Sequence, residues 1–336
     1  MALLEVRELE TVFALNGRHV HAVDHVSFAI EAGRVLGLVG ESGCGKSMTA
    51  LSLMRLVPSP GRVAGGRVLL DGRDLLALPE REMRDIRGAG LAMIFQEPMT
   101  ALNPVFTVGS QIAEALRLHR RMGRSEAWER ATALLDEVGI PEAARRAHDY
   151  PHQLSGGMRQ RVMIAIAISC EPRVLIADEP TTALDVTIQA QIVEVMRAAQ
   201  EETDAAIILI THDLGLIAEL ADRVVVMYAG RVVELGDVFT IFNSPRHPYT
   251  VGLMNSLAKL DTEQDRLEPI PGQPPSMISP PPGCAFHPRC LVSQGRARCR
   301  TEIPELRDFG DHVAACHFAE EVSAQRVSAS TSGGGT

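Results

Sequence analysis

Aromatic residues are scarce: one Trp, three Tyr and nine Phe make up 4% of 336 residues. Proteins that read nucleic acid by base stacking need such rings, so that class is disfavoured. Basic charge is also short. Lys and Arg number 33 against 42 Asp and Glu, a formal net charge of −9, which repels a polyanion unless a local patch outweighs the whole. No apolar run approaches the roughly 18 residues of a membrane-spanning helix. The longest, 162–170, is half that and reads as a buried helix. Residues 1–30 lack a basic stretch followed by an apolar one, so no secretory signal is read and a cytosolic setting is expected. A membrane role then has to come through a partner. Cysteine is sparse too, six in all, yet Cys284, Cys290, Cys299 and Cys316 cluster late. In a reducing compartment such a cluster points to a metal site before a pair of disulfides.

Hydrophobic residues reach 46%, enough for a real core, and the length suits one large domain with an appendage or two modest domains. Residues 2–10 and 20–30 alternate as antiparallel strands do. An apolar strand over 34–39 runs into Gly40-Glu41-Ser42-Gly43-Cys44-Gly45-Lys46-Ser47, and a helix follows from 47 to 56. Residues 58–66 read as a turn-rich break. Further strands are expected at 67–70, 91–95, 174–177 and 206–210, and a final hairpin over 223–235 around Ala229-Gly230. Helical periodicity marks 108–120, 125–138, 156–170, 187–202 and 214–220. Prolines crowd 269–282, as in a stiff extended linker, and the tail from about 322 has nothing to bury.

The glycine-rich stretch fits G-x-x-x-x-G-K-[ST]. Gly40, Gly43 and Gly45 let backbone N–H groups turn inward around phosphate oxygens; Ser42, Cys44 and Met48 complete the cradle. Lys46 adds a fixed cation and Ser47 a hydroxyl for Mg²⁺. The strand 174–177 exits into Asp178-Glu179: Asp178 suits the metal, and Glu179 one residue on can orient and deprotonate an attacking water. His212 follows the strand 206–210, where it can sense the γ-phosphate. Gln96, after the strand 91–95, can reach Mg²⁺ or the water. Cys44, beside Lys46 and inward N–H groups, is expected to favour thiolate; alkylation there is expected to block ATP binding, and nucleotide to protect.

Residues 154–161 read Leu-Ser-Gly-Gly-Met-Arg-Gln-Arg. Taken with the motifs above, the chain resembles the nucleotide-binding subunits of ABC transporters over residues 1 to about 240. Lys46 and Ser47 match Walker A, Gln96 the Q-loop and Ser155-Gly156-Gly157 the signature. Asp178 and Glu179 match Walker B with its catalytic glutamate, Asp185 the D-loop and His212 the switch histidine. The resemblance implies an α/β fold: an ABC-type P-loop ATPase domain with a RecA-like core, an antiparallel β-subdomain and an α-helical signature subdomain, plus a small Cys-containing C-terminal extension. It implies an aromatic stacked on adenine, with Phe13 or His21 as candidates. It also implies a head-to-tail dimer in which Ser155, Gly156 and Gly157 close on the partner's nucleotide. A helix opening on two glycines offers free N–H groups and a positive dipole end, which suits that anion.

Residues 95–104, Thr107-Val108-Gly109 and His247-Pro248-Tyr249-Thr250 resemble the oligopeptide/dipeptide/nickel importer ATPases, and the Pro-rich linker with its cysteines resembles their peptide members. This implies a nucleotide-binding domain over 1–260, with its helical subdomain near 97–170, an extension over 261–321 and a disordered tail over 322–336. It implies a second, similar ATPase subunit, two permease subunits, an extracytoplasmic solute-binding protein, and a place on the cytoplasmic face of the inner membrane. The region after Gln96 is expected to dock on the permease. Peptide uptake is the leading function, with nickel or another small solute as the alternative. A soluble ABC ATPase of DNA maintenance fits less well, since heptads are absent and the charge is acidic. The spacing Cys284-x5-Cys290-x8-Cys299-x16-Cys316 lacks the C-x2-C knuckles of zinc ribbons. Four thiolates in wide loops suit a [4Fe–4S] cluster, with Zn²⁺, or disulfides or free thiols, as alternatives. His287, His312 and His317 are possible substitute ligands.

Overall fold

The computed structural model describes residues 1–15, 17–181, 186–255, 270–293, 295–310 and 312–322. The expected disordered tail falls almost wholly outside them. The strands are β1 (Ala2–Leu15), β2 (Arg18–Glu31), β3 (Val35–Val39), β4 (Gly61–Leu70), β5 (Arg73–Asp74), β6 (Leu91–Ile94), β7 (Val174–Asp178), β8 (Ala206–Ile210), β9 (Arg223–Tyr228), β10 (Arg231–Asp237), β11 (Arg307–Asp308) and β12 (His312–Ala314). The helices are α1 (Lys46–Leu53), α2 (Glu80–Ala89), α3 (Pro98–Ala101), α4 (Val108–His119), α5 (Arg124–Glu137), α6 (Ala143–Arg146), α7 (Gly156–Ile168), α8 (Val186–Thr203), α9 (Leu214–Leu220), α10 (Val238–Asn243), α11 (Pro248–Asn255) and α12 (Ala297–Thr301).

The chain divides into two compact units. The first holds Met1–Leu4, Ala29–Val35 and Leu69–Ile210. Its centre is the parallel run β8-β7-β6. Val174-Leu175-Ile176-Ala177 and Ala206-Ile207-Ile208-Leu209-Ile210 are buried at every residue, the pattern of strands covered on both faces. The register pairs Ile94 with Ala177 and Asp178 with Ile210, so the three strands exit side by side. Helices α3 to α7 follow β6. Ile112, Leu116, Ala127, Ala131, Leu134, Leu135 and Val162 form their fully buried seam, recurring at helical spacing.

The second unit holds Glu5–Phe28, Leu36–Val68 and Thr211–Thr336. Here β2-β1-β4 lie side by side, and β9 pairs parallel with β3. β9 and β10 form the expected hairpin, turned by Ala229 and Gly230 at φ 49° and 80°, the paired positive values of a type I′ turn. Two expectations are corrected. Residues 61–66 are strand, because Gly61–Leu70 runs as one element beside β1. The hairpin is not final either: β12 adds antiparallel to β10, with Glu234 opposite Ala314, so backbone from the cysteine-bearing segment extends this sheet.

Candidate functional site

The phosphate loop joins β3 to α1. Gly40 and Gly45 adopt φ 149° and 109°. A Cβ would meet the Met227 carbonyl oxygen at 2.3 Å in the first case and that of Ala22 at 2.5 Å in the second. Only glycine satisfies both the torsion and the space. Lys46 is 6% exposed, and its Nζ donates to the carbonyls of Gly40 at 2.7 Å and Glu41 at 3.1 Å. The ammonium thus bridges two of the loop's own carbonyl oxygens. Ser47 and Met48 are half-buried on the first turn of α1, while Ser42 and Gly43 are exposed at the loop tip.

Cys44 departs from expectation. Its thiol is 5% exposed. Burial pushes its pKa up and prevails over Lys46, whose Nζ lies 3.8 Å from Sγ. The thiolate reading is corrected: the cation is near, but desolvation of the charged form is the larger effect. Phe13 packs its ring against the backbone of Gly61, where a Cβ would stand 2.6 Å from Cε1 and Cζ. His21 Nδ1 lies 3.9 Å from both Glu10 and Asp24.

In the first unit, the strand exits gather the polar groups, as ligand sites do at the carboxyl ends of parallel strands. Asp178 ends β7 and is 3% exposed. Glu179 takes φ 49°, a left-handed conformation that costs a non-glycine residue about 1 kcal/mol or more. Its N–H donates to the Ile210 carbonyl at 2.8 Å, which holds the turn. Gln96, two residues past β6, donates from Nε2 to Glu179 Oε2 at 3.0 Å. Gln160 Nε2 donates to the Pro180 carbonyl at 2.8 Å, tying α7 to the same turn. Ser155 caps α7, its Oγ accepting from Met158 N–H at 3.3 Å. Ser155 and Gly156 are exposed and Gly157 is half-buried, so the helix head faces solvent. In the second unit, His212 is exposed two residues past β8, just ahead of Asp213, whose carboxylate caps α9. Asp185 lies outside the described residues. After Gln96, Met99, Val105 and Phe106 are 55%, 69% and 53% exposed.

Cys284, Cys290, Cys299 and Cys316 line one small pocket with Phe286, His287 and His317, and all four are free thiols. Backbone N–H groups of Phe286 and His287 face the Cys284 sulfur, those of Val292 and Ser293 face Cys290, and that of Phe318 faces Cys316. Burial is the main force raising the thiols, to about 11 at Cys284 and about 12 at Cys316; the neighbouring cysteines push the same way. Among the described residues no three or more His, Cys, Asp or Glu side chains stand at the spacing of a metal site. The expectation for His312 is corrected: its side chain is fully buried 3.0 Å from Glu234 and does not line the pocket. His287 and His317 each turn one ring nitrogen to a carbonyl, of Cys284 and Glu302, at 2.9 Å. No local signal marked Glu41, Tyr249 and Arg289 as one group, yet they meet at the phosphate loop.

Comparison with known proteins agrees with this geometry. The family model described as "ABC transporter" matches residues 23–182, and "Oligopeptide/dipeptide transporter, C-terminal region" matches 233–299. The chain is 49% identical over 319 residues to the dipeptide transport ATP-binding protein DppD of Escherichia coli, covering 95% of this chain and 97% of that one. It is 53% identical over 289 residues to the Bacillus subtilis protein of the same name, covering 86% of each. A solved dimeric ATP-binding cassette in a post-hydrolysis state, bound to ADP and Pi, superposes with a TM-score of 0.63 at 26% identity. The match covers 70% of this chain and 98% of that one. The phosphate loop, the paired carboxylates at the end of β7, the exposed Ser-Gly-Gly helix head and the matched family regions together place the chain in the ABC transporter family, as an ATP-hydrolysing subunit of its oligopeptide/dipeptide branch.

Proposed function

We propose that this ATPase powers uptake of di- and oligopeptides through a membrane permease. The observation that carries this reading is the C-terminal match over 233–299, in a chain whose ATPase motifs all stand in order. The residues divide the work as follows. Inward N–H groups of residues 40–48 and the Lys46 ammonium hold the phosphates, and Phe13 stacks on adenine. Ser47, Asp178 and Gln96 are the residues that would hold Mg²⁺, which when bound would neutralise phosphate charge. Glu179 takes the proton of the attacking water, Gln96 orients it, and His212 contacts the γ-phosphate. Ser155, Gly156 and Gly157 close on nucleotide bound by a second, similar ATPase subunit, with Asp185 at that junction. Binding and hydrolysis then shift the pair between closed and open states.

No described helix is long and apolar enough to cross a membrane. The likeness to dipeptide transport ATP-binding proteins supports a seat on two permease subunits at the cytoplasmic face of the inner membrane, with peptide delivered by an extracytoplasmic solute-binding protein. The exposed Met99, Val105 and Phe106 support docking in that region.

Cys284, Cys290, Cys299 and Cys316 hold a [4Fe–4S] cluster in this proposal. Support comes from four thiols lining one pocket and from N–H donors turned toward three of the sulfurs, the donor set such clusters take. The cluster would cross-link a segment too small to build its own core. Iron, acid-labile sulfide and zinc per chain, measured after anaerobic purification, decide this point. About four irons and four sulfides support the cluster, whereas one zinc replaces it with a plain structural site. Reconstitution with the permease and binding protein tests the cargo. Peptide-stimulated ATP turnover and labelled-peptide uptake are expected; stimulation by nickel alone would overturn the peptide assignment.

A further inference from the structure

The Arg289 side chain is 4% exposed and every one of its nitrogens donates. Nη1 and Nη2 fork onto Glu41 Oε2 and Oε1 at 2.6 and 2.9 Å. Nη1 also donates to the Tyr228 hydroxyl at 3.3 Å, Nε to the Pro271 carbonyl at 2.9 Å and Nη2 to the Ile270 carbonyl at 3.2 Å. The rings of Tyr228 and Phe286 flank the guanidinium, each centroid 5.9 Å away. Glu41 is the second residue of the phosphate loop, and its backbone is held as well. Its N–H donates to the Tyr249 hydroxyl at 2.7 Å, and its carbonyl accepts from Lys46 Nζ at 3.1 Å. Two of the restraints on this loop residue thus come from beyond residue 247. Arg289 immediately precedes Cys290, and Phe286 lines the same cysteine pocket.

We propose that Arg289 is a positioning residue for ATP binding. Reaching from the cysteine-bearing segment, it fixes Glu41 and so the turn of the loop that aims Lys46. A bidentate fork sets two carboxylate oxygens at once, which a lysine cannot reproduce. Glu41 is partly exposed, with 23% of its side chain reaching solvent. Without the fork its carboxylate would turn to water and release the loop from its set geometry. Whatever disorders residues 284–316 withdraws Arg289, so the state of the cysteine pocket is felt as nucleotide affinity. That last consequence rests on the metal-held reading of the pocket; the fork does not.

The test is a variant cycle on the full chain: R289Q, R289K, E41Q and E41Q/R289Q, with the Kd of a fluorescent ATP analogue and the KM and kcat of ATP hydrolysis. R289Q and E41Q are each expected to raise Kd by about 5- to 50-fold, the range of a typical coupling. R289K should leave most of that loss in place. The double variant should bind within about twofold of the weaker single, because both changes break one interaction. KM should rise with Kd while kcat at saturating ATP moves less, which a general loss of structure would not produce. E41Q keeps Arg289, Phe286 and the four cysteines in place, so its metal content should match the parent; it carries the test if R289Q does not fold. Unchanged Kd in both single variants, or additive losses in the double, would overturn the proposal. A chain purified without metal would refute the cluster reading alone, since the cycle decides the fork either way.

Discussion

Gln96 and Glu179 lie 83 positions apart and share a hydrogen bond of 3.0 Å, amide to carboxylate. They leave neighbouring parallel strands at the same end, and the left-handed turn at Glu179 aims its carboxylate at that amide. If Glu179 is the general base, Glu179→Gln should lower ATP turnover by about 10² to 10⁴, the usual worth of such a group. Nucleotide Kd should stay within about threefold of the parent, since phosphate contacts are untouched. Turnover and binding measured on one preparation check this. A variant that keeps more than about a tenth of parental turnover would move the base elsewhere.

Ser155 has two separable roles. It caps α7 through Oγ, and its exposed position is proposed to face a partner's γ-phosphate. Asp caps as well as Ser and also favours the helix dipole. Ser155→Asp should therefore keep or slightly raise thermal stability, yet repel phosphate and abolish ATP-driven association with the second ATPase. Calorimetry and light scattering with ATP separate these effects. Association at parental strength would remove the signature from the phosphate site.

Cys44 sits inside the phosphate loop but is shielded from solvent. Its thiol is pushed above the ordinary range by burial, which prevails over the opposing pull of Lys46. Alkylation by iodoacetamide at pH 8 should be at least about tenfold slower than for a free thiol, because only thiolate reacts. Cys44→Ser should bind nucleotide within about threefold of the parent. Rapid, nucleotide-protected labelling at Cys44 would restore the expectation drawn from its sequence neighbours.

The His247 ring is buried, and desolvation pushes its pKa down to about 4 against an opposing pull from Glu234. Its Nδ1 accepts from Tyr249 N–H at 3.1 Å, so the neutral ring fits the fold. Unfolded, the ring takes its proton near pH 6.5. The unfolded chain therefore binds more protons between these values. This contribution is complete above about pH 6.5 and is lost as pH falls toward about 4. At pH 5 the loss should be about 2 kcal/mol relative to pH 7, as an order of magnitude. Urea unfolding at the two pH values measures it, and His247→Gln should flatten the difference. An unchanged difference in that variant would assign the acid sensitivity to another group.

Much of this protein was legible in contiguous residues. The apolar run 206–210, the Gly-Lys-Ser loop and the Ser-Gly-Gly head of α7 stand where their local chemistry predicts. A fully apolar strand, a turn that admits only glycine and a helix cap are each set by a few neighbours in sequence. Residues 61–66 misled because their glycines signal a turn, while pairing alongside β1 holds them extended. β12 is three residues long, too short for any periodicity, and exists because β10 offers it an edge.

The sequence by itself determined the chemistry: which residues can cradle phosphate, hold a metal or move a proton, and the order in which they come. Only the tertiary structure decided their surroundings. It buried Cys44 enough to reverse the effect of Lys46, drew His312 away from the cysteines onto Glu234, and closed Arg289 onto Glu41 across 248 positions. Desolvation and long-range charge pairing depend on what the rest of the chain places around a group, and no window of neighbouring residues contains that information.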